Sequence, residues 1–167
     1  MSLQIKRSVA VLACAFAAGC ATYSPRAVRP GMTAGEVVAA MGSPNARHAL
    51  PGGGQRLEYA RGPLGLHTYM VDLDGQGRVT RWEQVLDEAH FNAVRPGIPV
   101  EELARELGRP AEIRRYGRQP GDFWSYRFDD RTQLCRWWQV PVVGGQVGHG
   151  GYGPDPRCAN LFMNDDS

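Results

Sequence analysis

AVRPGMTAGEVVAAMGSP, residues 27–44, returns as AVRPGIPVEELARELGRP at residues 93–110. Aligned without gaps, 66 positions apart, the two stretches agree at 8 of 18 positions, including Glu36 and Glu102, Gly42 and Gly108, and Pro44 and Pro110. Each reads as one helix with its stop signals. Thr33 and Glu36 have the spacing of a capping box, and Val37 and Met41 form a buried stripe. Gly42 supplies a left-handed C-cap and Pro44 blocks continuation. In the second copy Leu103 and Leu107 repeat the stripe and Gly108 and Pro110 the stop, while Pro99 replaces Thr33 at the helix start. A shared pattern of this length, stops included, points to a duplicated folding module rather than a chance recurrence.

After each helix the apolar period falls from near four to two. Leu57 and Tyr59, then Tyr69, Val71 and Leu73, then Val79 to Val85 predict three antiparallel strands, the last two joined at Asp74-Gly75-Gln76-Gly77. In the second copy Trp124, Tyr126 and Phe128 alternate, Leu134 to Val143 follows as a strand interrupted at Pro141, and Gln146 to His149 reads as a frayed third. The spacing of Glu88, Phe91 and Val94 predicts a short helix over 87–94. The stretch from Gly150 onward, with its Gly, Pro and Asp, predicts irregular chain. The fold class is therefore α+β: two tandem modules, each one or two short helices packed on a roughly three-stranded antiparallel sheet. The expected boundaries are a lipoprotein signal peptide at 1–19, a lipidated tether at 20–29, modules at 30–86 and 87–158, and a C-terminal tail at 159–167.

The opening MSLQIKRSVAVLACAFAAGC has a basic start, an apolar run from Val9 to Ala18 and a small-residue exit. That run is half of the roughly 20 residues a membrane-spanning helix needs; the pattern is that of a secretory signal peptide. Cys20 directly after Ala-Ala-Gly resembles the lipobox of bacterial lipoproteins, which makes Cys20 the expected lipid attachment site and membrane lipid its first partner. Ala21 after it resembles an outer-membrane sorting signal. Without Lys6 and Arg7, 17 basic residues, all Arg, balance 17 acidic ones, so general nucleic-acid binding has no electrostatic support. Cys135 and Cys158 remain as an even pair in an oxidising compartment and are expected to form a disulfide.

Asp72, Asp74, Gln76, Gly77 and Glu83 fit the first, third, fifth, sixth and twelfth places of a calcium loop. Gln76 weakens that match and the flanks alternate like strands, so a hairpin turn is the better reading. GGQVGHGGYG at 144–153 has neither a phosphate-loop nor a dinucleotide spacing, and its His-Gly-Gly lacks the Gly-x-Ser-x-Gly of an esterase. His48, His67, His90 and His149 have no metal-like spacing. No metal, cofactor or catalytic residue is expected. What is left is aromatic: neighbours Trp137 and Trp138 point to opposite faces of one strand. Either one indole is core and the other is open to a partner beside Arg136, or the fold covers both.

Arg-Pro-Gly-Met-Thr at 29–33, Glu36-Val37, Met41-Gly42-x-Pro44, a Leu-x-Tyr strand at 57–59 and Leu73-Asp74-x-x-Gly77-x-Val79 together resemble the SmpA/OmlA (BamE-like) family of outer-membrane lipoproteins. The resemblance is close over about 29–86 and looser from 95 to about 154. It implies a helix on a three-stranded sheet facing the periplasm, and envelope proteins as partners, among them the machinery that inserts β-barrel proteins into the outer membrane. Two modules in tandem look more like the β-lactamase inhibitory protein fold, which implies a concave sheet gripping another protein. The expected function is thus a non-catalytic interaction module at the outer membrane, with recognition or inhibition of a periplasmic enzyme or ligand as the alternative.

Overall fold

The computed structural model describes residues 23–60, 65–128 and 136–157. The first module opens with α1 (Ala34–Met41). Thr33 caps it as expected: its Oγ1 accepts from the Glu36 N–H, and Glu36 Oε2 accepts from the Thr33 N–H at 2.7 Å. Gly42 ends it at φ 79° and Pro44 follows. The chain then runs through β1 (Ala46–Ala49), β2 (Gln55–Ala60), β3 (Thr68–Leu73) and β4 (Val79–Gln84), an antiparallel sheet in sequence order. One face, Leu57, Tyr59, Val71 and Leu73, packs with Val37 and Met41 of α1 into a closed core.

The second module carries α2 (Glu88–Ala93), α3 (Val100–Leu107), β5 (Glu112–Arg114), β6 (Asp122–Arg127), β7 (Arg136–Val143), β8 (Gln146–Val147) and β9 (Gly151–Pro154). β5, β6 and β7 are neighbours, and β8 and β9 share the far edge of β7. Pro141, with no N–H to give, falls in the gap between the segments of β7 that pair with β8 and with β9.

The duplication is visible bond for bond. Gly31 donates to the Val79 carbonyl at 2.8 Å, and Gly97 to Val147 at 2.7 Å. Val79 donates back to Met32, Val147 to Ile98; Ala34 donates to Gly77, Val100 to Gly145. Gly42 and Gly108 end their helices with nearly the same torsions, φ 79° and 77°, a region that excludes side chains.

Four expectations change. The sheets have four and five strands where roughly three were expected in each: β1 and β5 are short edge strands that, among the described residues, pair on one side only. The irregular stretch expected from Gly150 includes β9, which lies on β7 because Gly150 has no side chain to collide with the Trp138 indole, whose atoms come within 2.1 Å of an added Cβ. The tether expected over 20–29 is docked from Tyr23 onward. Ser24 donates to the Ala40 carbonyl at 3.0 Å, a 3-10 turn spans Pro25–Ala27, and Val28 is fully buried, since the apolar side of this segment completes the α1 core.

The fourth change concerns the sheet area free for a partner. Among the described residues the two sheets share no ladder, and the second face of the first one is closed over much of β2 and β3. Met70 alternates with Val71 and joins Leu103, Leu107, Tyr126 and Trp138 in the second core. α3 therefore lies between the sheets, and duplication has built a stack of α1, sheet, α3 and sheet in place of one wide concave surface.

Candidate functional site

At the joint between modules the buried face of the first sheet is charged. Arg56, with 5% of its side chain exposed, donates from Nε to Asp72 Oδ1 at 2.6 Å and from Nη2 to Oδ2 at 2.9 Å. Its Nη1 donates to the Arg105 carbonyl at 3.1 Å and to Glu106 Oε2 at 3.3 Å, tying the C-terminal turn of α3 to β2. Arg81 reaches Asp72 from the rim at 3.2 Å. Burial disfavours the Asp72 carboxylate, but the hydrogen bonds and charge of Arg56, then Arg81, outweigh it and hold its pKa below the ordinary value. The Asp72 hydrogen bonds, working against burial, raise the pKa of Arg56.

Beside this joint Glu58, buried, accepts from the Arg109 N–H at 2.9 Å and lies 3.0 Å from His48 Nε2. Gly108 presses on it: a Cβ there would stand 3.0 Å from the Glu58 carboxyl and from Thr68 Cγ2. The Tyr126 hydroxyl donates to the Gly108 carbonyl at 3.1 Å, and burial, then the Glu58 charge, pushes its pKa well up.

Between the edges β1 and β5 the joint opens into a groove of about 610 Å³, bordered by His48, Glu58, Arg109, Ile113 and Trp124. A smaller cavity of about 280 Å³ lies between α2 and α3, over Val94, Ile98 and Leu107. His90 at its rim is held by Asp87, Nδ1 to Oδ1 2.7 Å. The calcium-like stretch is a hairpin: Asp74 Oδ1 accepts from the Gln76 and Arg78 N–H groups, while Asp72 serves Arg56. Among the described residues, no three His, Cys, Asp or Glu side chains converge as a metal site.

The expected interaction residues come out differently. Trp137 and Trp138 do point to opposite faces, yet they are only 4% and 3% exposed. Trp138 stacks on Phe91 of α2, centroids 5.0 Å apart and planes within 7°. On the other face Arg127, whose register partner is Trp137, lays its guanidinium 5.4 Å from that ring while its Nε donates to buried Asp155 at 2.6 Å. The exposed indole is thus absent because a neighbouring arginine covers it. Arg136 is half-buried, 4.8 Å over Tyr152 and 3.4 Å from Glu88. Cys20, Cys135 and Cys158 lie outside the described residues.

The groove is what sequence reading missed. Arg109, between the stop residues Gly108 and Pro110, and Ile113 fall in none of the expected strands or sites. The groove's two carboxylates, Glu58 and Glu112, are already engaged within the fold, and Ile113 and Trp124 give it an apolar wall. No family model, curated protein or solved structure gives a significant match to the chain.

Proposed function

We propose that the protein is a lipid-anchored, periplasm-facing lipoprotein of the outer membrane that acts as a non-catalytic protein-interaction module, an accessory to β-barrel protein assembly or envelope integrity. The observation that carries this reading is the duplication itself: what repeats is backbone scaffolding, Gly31 with Gly97 and Gly77 with Gly145, and of the repeated carboxylates Glu36 and Glu102 the first serves the cap of α1. The buried charges, Arg56 with Asp72 and Arg127 with Asp155, are committed to holding strands and helices together. The lipobox-like exit before Cys20 supplies the anchor, and the resemblance to SmpA/OmlA lipoproteins supplies the class of partner. The open groove also favours a second reading, a module that recognises or inhibits a periplasmic enzyme.

Crosslinked affinity purification of the tagged protein from native outer membranes, with Cys20→Ala as unanchored control, separates the two. Enrichment of barrel-assembly subunits over that control supports the assembly role; enrichment of a periplasmic enzyme supports the second reading, and no Cys20-dependent enrichment overturns both.

A Cys135–Cys158 disulfide is part of this reading; of its sequence neighbours, Arg136 is paired with Pro154 across antiparallel β7 and β9. Alkylation of the denatured, unreduced protein should find neither thiol, and labelling of both would exclude the bond.

A further inference from the structure

We propose that the free edge of β5 docks an extended segment of another protein in which apolar and acidic side chains alternate. This deepens the recognition reading above and rests on it. Among the described residues β5 pairs with β6 alone, so its other side presents unpaired backbone N–H and C=O groups, the template that an added strand uses. Ile113, at the middle of β5, is 55% exposed and faces the groove beside its register partner Trp124. In a strand added to this edge, the residue opposite Ile113 would enter the groove and its two neighbours would lie on the other face, one of them beside Arg114.

The charge around the edge selects the partner. Residues 109–118 contain four arginines; Arg114 pairs with Glu112 and Arg115 with Asp122 at 2.9 Å, while Arg109 and Arg118 have no ion pair among the described residues. Both carboxylates lining the groove are engaged inside the fold: Glu58 by His48 and the Arg109 N–H, Glu112 by Arg114 and, at 3.8 Å, by Arg127. The exposed Arg109 guanidinium has no hydrogen bond or ion pair among the described residues. The groove therefore combines open backbone, an apolar wall and unbalanced positive charge. The same arginines repel a second copy of this edge, which disfavours self-pairing while admitting an acidic strand.

The test uses the full-length protein purified in detergent and a capped, fluorescein-labelled heptapeptide, Thr-Val-Thr-Val-Asp-Val-Asp, followed by fluorescence anisotropy at low salt. Saturable binding is expected, weakened at least about tenfold by changing both acids to Lys, by methylating alternate backbone nitrogens, or by Arg109→Glu. Arg109→Ala should weaken it less than Arg109→Glu. Circular dichroism guards against misfolding, although the Arg109 side chain is exposed and only its backbone serves Glu58. Absence of binding at about 1 mM peptide overturns the proposal. So does indifference to backbone methylation, equal binding of the Lys peptide, or a protein dimer that Arg109→Glu dissolves, which would give the edge to a second copy. A partner captured through Cys20 without peptide binding retires this edge and leaves the function; peptide binding with nothing captured does the reverse.

Discussion

Cutting the Arg56–Asp72 pair from its two ends should have unequal effects. Asp72→Ala leaves a guanidinium with 5% of its side chain exposed, and its remaining partners are a half-exposed Glu106 and the Arg105 carbonyl. Stranding a buried charge in this way costs about 3–5 kcal/mol. Arg56→Met leaves Asp72 still paired with Arg81 at 3.2 Å, lets Glu106 turn to solvent, and orphans one helix-end carbonyl, for a loss of about 1–3 kcal/mol. The double variant Arg56→Met/Asp72→Leu removes both charges and replaces them with apolar volume. It should lie close to the wild type, well short of the two single losses added. Urea unfolding of the three variants followed by tryptophan fluorescence measures all of this, since Trp82 reports on the first module and Trp124, Trp137 and Trp138 on the second. Because Arg56 also binds α3, Arg56→Met should lower the denaturant slope as the modules begin to unfold separately. The reasoning is refuted if Arg56→Met costs as much as Asp72→Ala, or if the double variant costs the sum of the single ones.

Gly150→Ala should destabilise by about 1–3 kcal/mol through overpacking alone, because the new methyl meets Trp138 and no positive φ is involved; a near-UV circular dichroism change confined to the aromatic region would accompany it. Thr33→Ala removes the capping box and should cost about 1 kcal/mol in the same urea assay, with Glu36→Ala smaller. Asp72, Asp87 and Asp155 all have folded-state pKa values below the ordinary carboxylate value of about 4. Their stabilisation is complete above that value and drains away as the pH falls through the lower folded-state values. Guanidinium midpoints should therefore drop from pH 5 to about pH 2, and Asp72→Asn should flatten that slope.

The helices and the central strands were legible because their signals are local: Thr33 with Glu36, the paired stops at Gly42 and Gly108, and the alternation of Trp124 with Tyr126. β1 and β5 were not, since edge strands reading ARHA and EIR have no apolar alternation and owe their shape to the neighbour that pairs with them. β9 reads GYGP, and its place on β7 depends on Gly150 just before it, packed on an indole 12 positions earlier. The burial of Trp137 follows from its register opposite Arg127, which alternation alone does not fix. Arg56, Glu58 and Asp72 occupy the polar phase of their strands, a phase ordinarily given to water. Only the arrival of the second module turns that phase into an interior, and for the same reason the groove beside it has no signature in either repeat taken singly.

The docking of Tyr23 sets the geometry of attachment. Its ring meets Tyr69 edge-on at 6.1 Å, and Tyr23 stands three positions after Cys20 in the chain. Three fully extended residues reach about 11 Å at most. With Cys20 acylated as proposed, that length alone keeps the docked Tyr23 within about 11 Å of the lipid attachment point. A domain roughly 40 Å across would then patrol a thin layer against the bilayer. Its search for partners becomes two-dimensional, and the proteins it meets are those whose own surfaces project into that layer.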